Sequence, residues 1–70
     1  MEHEKLVTMA NQIARFFLAQ GPERAVEQTA DHLQKFWDPR MRHQIRQHLA
    51  SGGDGLDPVA KDAVANLPAT

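Results

Sequence analysis

The sequence contains no cysteine, and this absence excludes several kinds of site. Disulfide frameworks, thiolate zinc sites and cysteine-ligated iron–sulfur clusters all need cysteine side chains. A chain without disulfides also fits a reducing compartment. This protein therefore cannot be stabilised by the disulfide bonds that many small secreted domains use.

Long apolar runs and an excess of charge are also lacking. No apolar run approaches the roughly 20 residues that a membrane-spanning helix needs, and the N-terminal segment with Glu2 and Glu4 is acidic where a signal peptide is basic. Eight Lys and Arg residues against nine Asp and Glu residues give a formal net charge of -1. We therefore expect a cytoplasmic protein that does not contact membranes. We expect no nucleic-acid binding either, because the basic excess that supports it is missing.

The short length predicts one small domain that benefits from a partner. A chain of 70 residues forms a single domain, residues 1–70, and buries too small a fraction of its surface to be comfortably stable alone. We expect binding to another protein or to a second copy.

The sequence does contain the pattern of four helices, and no segment alternates like a strand. Helix stop and start signals stand at Gly21-Pro22, at Asp38-Pro39, across the glycine-rich residues 52–55, and at Asp57-Pro58. The predicted fold is all-α: a small bundle of three helices plus a short C-terminal helix, over roughly 4–19, 22–37, 39–50 and 58–66. Residues 52–55 are expected to form a flexible link.

The apolar faces of the first two helices differ in width. On the second helix they fall within about 120°, which predicts a single buried stripe: Val26, Thr29, Ala30, Leu33, Phe36 and Trp37. On the first helix the apolar residues between Leu6 and Leu18 spread over about 200°. Two interpretations remain open, because the other helices can wrap both sides of the first helix or can leave part of the arc as an exposed apolar patch.

The third helix combines a narrow apolar ridge with outward cations. Met41, Ile45 and Leu49 form the ridge, with His48 at its edge. Arg40, His43, Arg46 and Gln47 point away from it, and Arg42 lies on its flank. Three interpretations of these cations remain open: a solvated face, a docking surface for another protein, or a helix-turn-helix element that reads DNA. The missing basic excess argues against DNA binding.

No catalytic, cofactor-binding or metal-binding residues are predicted. Asp31 and His32 are neighbours, about 100° apart on a helix, and cannot orient one another as residues four apart can. His43 and His48 diverge and His3 lies near the terminus, so solvated or edge-of-core roles are expected for all four histidines. The run at residues 52–55 lacks the strand and the Gly-Lys-Ser/Thr sequence of a phosphate-binding loop.

Phe36 and Trp37 allow two roles that are compatible with each other. At the end of a helical stripe they favour core anchors, with the indole N–H seeking a carbonyl across the turn. A tryptophan beside arginine is also typical of an interface hot spot. A tight turn at Asp38-Pro39 would then hold the following cations in a defined place.

Three segments of the chain are familiar. KLVTMANQIARFF (5–17), ADHLQKFWDPRMRHQI (30–45) and GGDGLDPVAKDAV (52–64) resemble, in the same order, the delta subunit of soluble NAD-dependent molybdenum-containing formate dehydrogenases. The resemblance departs at His43, where another cation is expected, and in the short tail after Val64.

The resemblance implies a noncatalytic accessory subunit that supports assembly and stability of the large formate-oxidising alpha subunit, its expected partner. The bis-molybdopterin guanine dinucleotide, iron–sulfur clusters, FMN and NAD are expected in other subunits, with no cofactor bound by this chain. A transient chaperone for cofactor insertion is the alternative, although a chain without cysteine cannot carry sulfur as a persulfide. Self-association is allowed for the isolated chain.

The expected docking surface is the segment around the Asp-Pro turn: Phe36, Trp37, Arg40, Met41, Arg42 and Arg46. Phe36, Trp37 and Met41 are expected to form its inner half, and Arg40 and Arg42 its exposed half. Replacing Arg40 and Arg42 together by glutamate is then expected to leave folding nearly unaffected, since acid in the first turn suits the helix dipole.

Overall fold

The computed structural model describes residues 2–67, in which four α-helices follow one another without a strand. They are α1 (His3–Gln20), α2 (Ala25–Phe36), α3 (Pro39–Ala50) and α4 (Pro58–Ala65), with a short 3-10 helix, Pro22–Arg24, before α2. The predicted all-α fold is confirmed, as are the breaks at Gly21, at Asp38 and at residues 52–55. No helix within residues 2–67 is both long and apolar enough to cross a bilayer.

The break between α1 and α2 contains a short 3-10 helix that the sequence does not predict. The backbone N–H of Gly21 donates to the carbonyl of Phe17 at 3.0 Å and ends α1. Pro22 then begins a 3-10 turn, which is common at helix N-termini, and regular α-helix starts only at Ala25. The observed second helix is therefore shorter than the predicted one at both ends. At its C-terminal end it stops before Trp37, because Trp37 has extended backbone angles, φ −86° and ψ 138°.

The start of α3 matches its prediction. Asp38 accepts a hydrogen bond from the backbone N–H of Met41 through Oδ1 at 2.9 Å, and Pro39 occupies the first helical position. This is the N-cap that the Asp-Pro pair predicts. Asp57 precedes Pro58 in the same way, but its side chain makes no capping hydrogen bond and instead pairs with Arg15 at 3.3 Å.

The glycine-rich segment between α3 and α4 is tied to the helices by hydrogen bonds. Asn11 of α1 uses both ends of its amide on this segment. Its Nδ2 donates to the Gly55 carbonyl and its Oδ1 accepts from the Asp57 N–H, both at 2.9 Å. Gly53 is buried at φ +67°, where an added Cβ would lie 3.1 Å from Leu49 and Lys61 side-chain atoms.

One line of residues on α2 supplies its buried face. Ala25, Thr29, Leu33 and Trp37 are four apart and all buried, as residues on one line of a helix must be when that line faces the core. Phe36 lies on the next line with His32 and is 72% exposed. Its assignment to the core is therefore wrong, because the buried stripe is narrower than the predicted arc.

The broad apolar arc of α1 is covered along only part of its length. The helix contacts α2, α3 and α4, and these neighbours bury Leu6, Val7, Ala10 and Ala14. Near its C-terminal end Phe16 stays 58% exposed and Leu18 42% exposed. Both interpretations of the arc are thus partly correct, since helices wrap the first part and an apolar patch remains at the other end.

Candidate docking surface

Trp37 is part of the hydrophobic core. It is 5% exposed and belongs to the same buried cluster as Leu33 and Ile45. The prediction of a core anchor is confirmed. We call the predicted docking residues Phe36, Trp37, Arg40, Met41, Arg42 and Arg46 the α2–α3 corner. A side chain with so little exposed area offers almost nothing to a partner, so Trp37 contributes to any docking surface by stabilising the shape of this corner.

Arg42 folds back onto the end of α2 and is half-buried, so it is less exposed than Arg40. Its Nη1 donates to the carbonyls of Gln34 at 3.0 Å and Trp37 at 2.6 Å. The last carbonyls of a helix lack partners within the helix, and a cation there also interacts favourably with the helix dipole. Arg42 therefore caps α2 from the first turn of α3.

The role of Arg42 changes the expectation for the double glutamate variant. A glutamate at position 42 would place a carboxylate against the carbonyls that the guanidinium now satisfies. We therefore expect that variant to lose stability. A basic residue often bonds the last carbonyls of its own helix, but the sequence does not indicate that Arg42 of the next helix reaches back to α2.

The remaining predicted residues of the corner have mixed exposure. Arg40 is exposed, Arg46 is half-buried, and Met41 is half-buried against the core cluster. The ion pairs within residues 2–67 join other residues, so Arg40 and Arg46 have no carboxylate partner in that range. These two side chains are the cations that the corner offers to a partner.

Aromatic rings that the sequence reasoning did not connect meet beside this corner. We call Phe16, Phe17, His32 and Phe36 the aromatic stripe. Its ring centroids are 5.3 Å apart for Phe16 and Phe17, 6.1 Å for Phe17 and His32, and 4.6 Å for His32 and Phe36. The spacing of His32 and Phe36, four residues apart, was a visible signal for half of the stripe.

The corner and the stripe both lie within a segment that matches a known family. The family model of the NADH-dependent formate dehydrogenase delta subunit, FdsD, matches residues 5–64 of this chain. The chain belongs to this family. No curated protein and no solved structure matches it.

Membership in the delta-subunit family confirms the resemblance noted in the sequence. The matched segment runs from the first turns of α1 almost to the end of α4, and it includes Asn11, Phe36 and Arg42 among the residues described above. A delta subunit is one chain of a formate dehydrogenase with further subunits, so surfaces for protein contact are expected on it.

Two histidines of this delta-subunit family member come together although the sequence does not indicate it. The rings of His3 and His48 meet edge to face with centroids 5.4 Å apart. His48 Nε2–H donates to the Asp54 carbonyl at 2.7 Å, which fixes that nitrogen as a donor. Within residues 2–67 no three His, Asp or Glu side chains converge as metal ligands would.

Proposed function

We propose that this chain is a noncatalytic accessory subunit that binds the large formate-oxidising subunit of a formate dehydrogenase and supports its assembly and stability. Its membership in the delta-subunit family supports a place in such a complex. The single observation that carries the docking role is the α2–α3 corner, where Phe36 is 72% exposed and Arg40, four residues later, is exposed with no carboxylate partner within residues 2–67.

The corner is suited to docking because the protein has already fixed its shape. The Asp38 cap, the buried Trp37 and the Arg42 bonds to two carbonyls hold the end of α2 and the start of α3 together. A surface that is rigid before binding loses less conformational entropy when it binds. Arg42, Trp37 and Met41 support the surface from within, while Phe36, Arg40 and Arg46 face the partner.

The charge of the exposed residues suggests the character of the partner surface. Arg40 and Arg46 have no carboxylate partner within residues 2–67, so an acidic patch on the large subunit would complement them. Cations at the rim of an interface contribute mainly to orientation and association rate, and desolvated pairs contribute more to affinity.

The donor set of this chain does not fit an iron–sulfur cluster. The sequence has no cysteine, and within residues 2–67 no three His, Asp or Glu side chains converge as metal ligands would. We propose, as the family resemblance implies, that the bis-molybdopterin guanine dinucleotide, the iron–sulfur clusters, FMN and NAD are held by other subunits, and we derive no chemical step for this chain.

Coexpression with the large subunit tests the proposal. Size-exclusion chromatography of the purified complex is expected to show the chain at a fixed stoichiometry. Loss of the chain once the enzyme is mature would indicate a transient chaperone, and absence of any copurification would refute the docking role.

A matched pair of charge variants tests the corner itself. Arg40→Glu with Arg46→Glu reverses two cations that have no carboxylate partner within residues 2–67 and is expected to weaken copurification. Lys5→Glu with Lys61→Glu changes the net charge by the same amount at exposed residues that likewise form no ion pair in that range, and it is expected to bind like the wild type. Equal binding by both double variants would show that the corner cations face solvent in the complex.

A further inference from the structure

The aromatic stripe is a candidate for a second part of the interface because it crosses from one helix to another. Phe16 and Phe17 come from the last turns of α1, whereas His32 and Phe36 come from the C-terminal half of α2. Adjacent rings are 4.6 to 6.1 Å apart between centroids, within the range of favourable aromatic pairs. The two helices thus present one continuous aromatic surface.

The stripe has exposed ends and a partly covered middle. Phe16 is 58% and Phe36 72% exposed, while Phe17 and His32 between them are half-buried. A shallow groove of about 320 Å³ lies along the middle, lined by Phe17, Gln28, Asp31, His32, Lys35 and Phe36. The exposed Phe36 ring borders this groove, so a partner's apolar side chains can contact the ring and enter the groove beside it.

The charged residues of the groove leave little net charge for a polyanion to recognise. Asp31 and Lys35 pair with each other at 3.0 Å, four residues apart on α2, and Gln28 is neutral. A groove with apolar rings and an internally neutralised rim is complementary to an apolar protein surface of low charge.

The area of the stripe argues against a dimer of this chain that is held by the stripe alone. An aromatic side chain offers about 150–250 Å², so Phe16 and Phe36 at their observed exposure present on the order of 250 Å². A stable dimer buries about 800 Å² on each partner. The stripe is too small to be a whole interface, but aromatic residues including Phe are enriched in the buried core of interfaces, so the stripe fits the centre of a larger one.

We propose that the aromatic stripe is the hot spot of this chain's interface and that it receives apolar side chains from the large formate-oxidising subunit. This inference rests on the proposed function and adds the contacting residues and the chemistry of the partner. It shifts the centre of the interface from the arginines to the rings, with Phe36 shared by the corner and the stripe.

The experiment compares three single variants of the full chain in binding to the purified large subunit. Phe16→Ala and Phe36→Ala each remove an exposed ring of the stripe and are each expected to raise the dissociation constant at least tenfold. Leu18→Ala is the matched control. Leu18 is an exposed apolar residue of α1 that lines a different groove, with Pro58 and Val59, and its variant is expected to bind within twofold of the wild type.

The possible results separate the two proposals. If the wild-type chain binds and the Phe16 and Phe36 variants bind equally well, the stripe inference is overturned while the proposed function stands. If the wild type does not bind the large subunit, the proposed function fails and this assignment of the partner fails with it. An equal loss in the Leu18 variant would mean that general apolarity, not the stripe, drives binding.

Two further measurements address the other occupants. Sedimentation of the isolated chain is expected to give a monomer, and a dimer that Phe36→Ala dissociates would make a second copy the occupant. Cosedimentation with neutral phosphatidylcholine vesicles is expected to be negative, and binding that depends on Phe16 and Phe36 would replace the protein partner by a lipid surface.

Discussion

The capping role of Arg42 makes a quantitative prediction about stability. Arg42→Met removes the guanidinium but keeps an unbranched apolar stem, so the change isolates the two bonds to the carbonyls of Gln34 and Trp37. Arg40→Met makes the same chemical change two residues earlier, at an exposed position. The difference between the two variants therefore measures the cap.

The magnitude follows from the hydrogen bonds. Each bond from a charged donor contributes about 1.5 kcal/mol at the low end of its range. Arg42 Nε is buried and finds no hydrogen-bond partner within residues 2–67, which costs on the order of 1 kcal/mol and offsets part of the gain. The variant is thus expected to lose about 2 kcal/mol of unfolding free energy, and a domain of this size then melts roughly 8–16 °C lower.

Thermal and urea unfolding followed by circular dichroism at 222 nm measure this loss. Arg40→Met is expected to stay within about 0.5 kcal/mol of the wild type, as surface changes usually do. Equal stability of the Arg42 and Arg40 variants would refute the capping argument. Arg42→Lys adds a further control, because it keeps the charge near the helix dipole but lacks the planar fork, and only partial rescue is expected.

Three further predictions concern the core and the loop. Thr29 is fully buried and its hydroxyl has no hydrogen-bond partner among residues 2–67, so Thr29→Val should raise the free energy of unfolding by about 1 kcal/mol; a free energy of unfolding below that of the wild type in urea would mean that the hydroxyl is bonded. Trp37→Ala should cost about 3–5 kcal/mol, close to the whole stability of so small a domain, and circular dichroism should show an unfolded chain, whereas a cooperative, native-like melt would contradict its role as an anchor. Asn11→Ala removes both amide bonds to the loop and should cost about 2 kcal/mol, with faster hydrogen exchange at Asp57 N–H; unchanged exchange would mean that the loop holds without the clamp.

The capping and proline patterns in the sequence predicted the helices, because the ends of a helix depend on residues within about one turn. Asp38-Pro39 placed the start of α3 correctly, since capping and the fixed φ of proline act within one turn. The same pattern at Asp57-Pro58 placed α4 but not the role of the carboxylate, which Arg15 of α1 attracts from a distant part of the chain.

The candidate site was only partly predictable, because some of its contacts join residues of different helices. Helical spacing located Trp37 and Met41 near the core and Arg40 outside it. It could not show that Arg42 reaches the carbonyls of the preceding helix, or that Phe36 belongs to the exposed line of α2. Both outcomes depend on which side of α2 meets its neighbours.

The sequence by itself determined the helical class, the three breaks and the family, because these follow from residues close together in the chain and from strings that can be compared directly. Only the tertiary structure decided which apolar residues stay exposed. The packing of α1 against α2 brings Phe17 to His32 and leaves Phe16 and Phe36 outside, since a helix with a broad apolar arc can bury only the part that its neighbours reach.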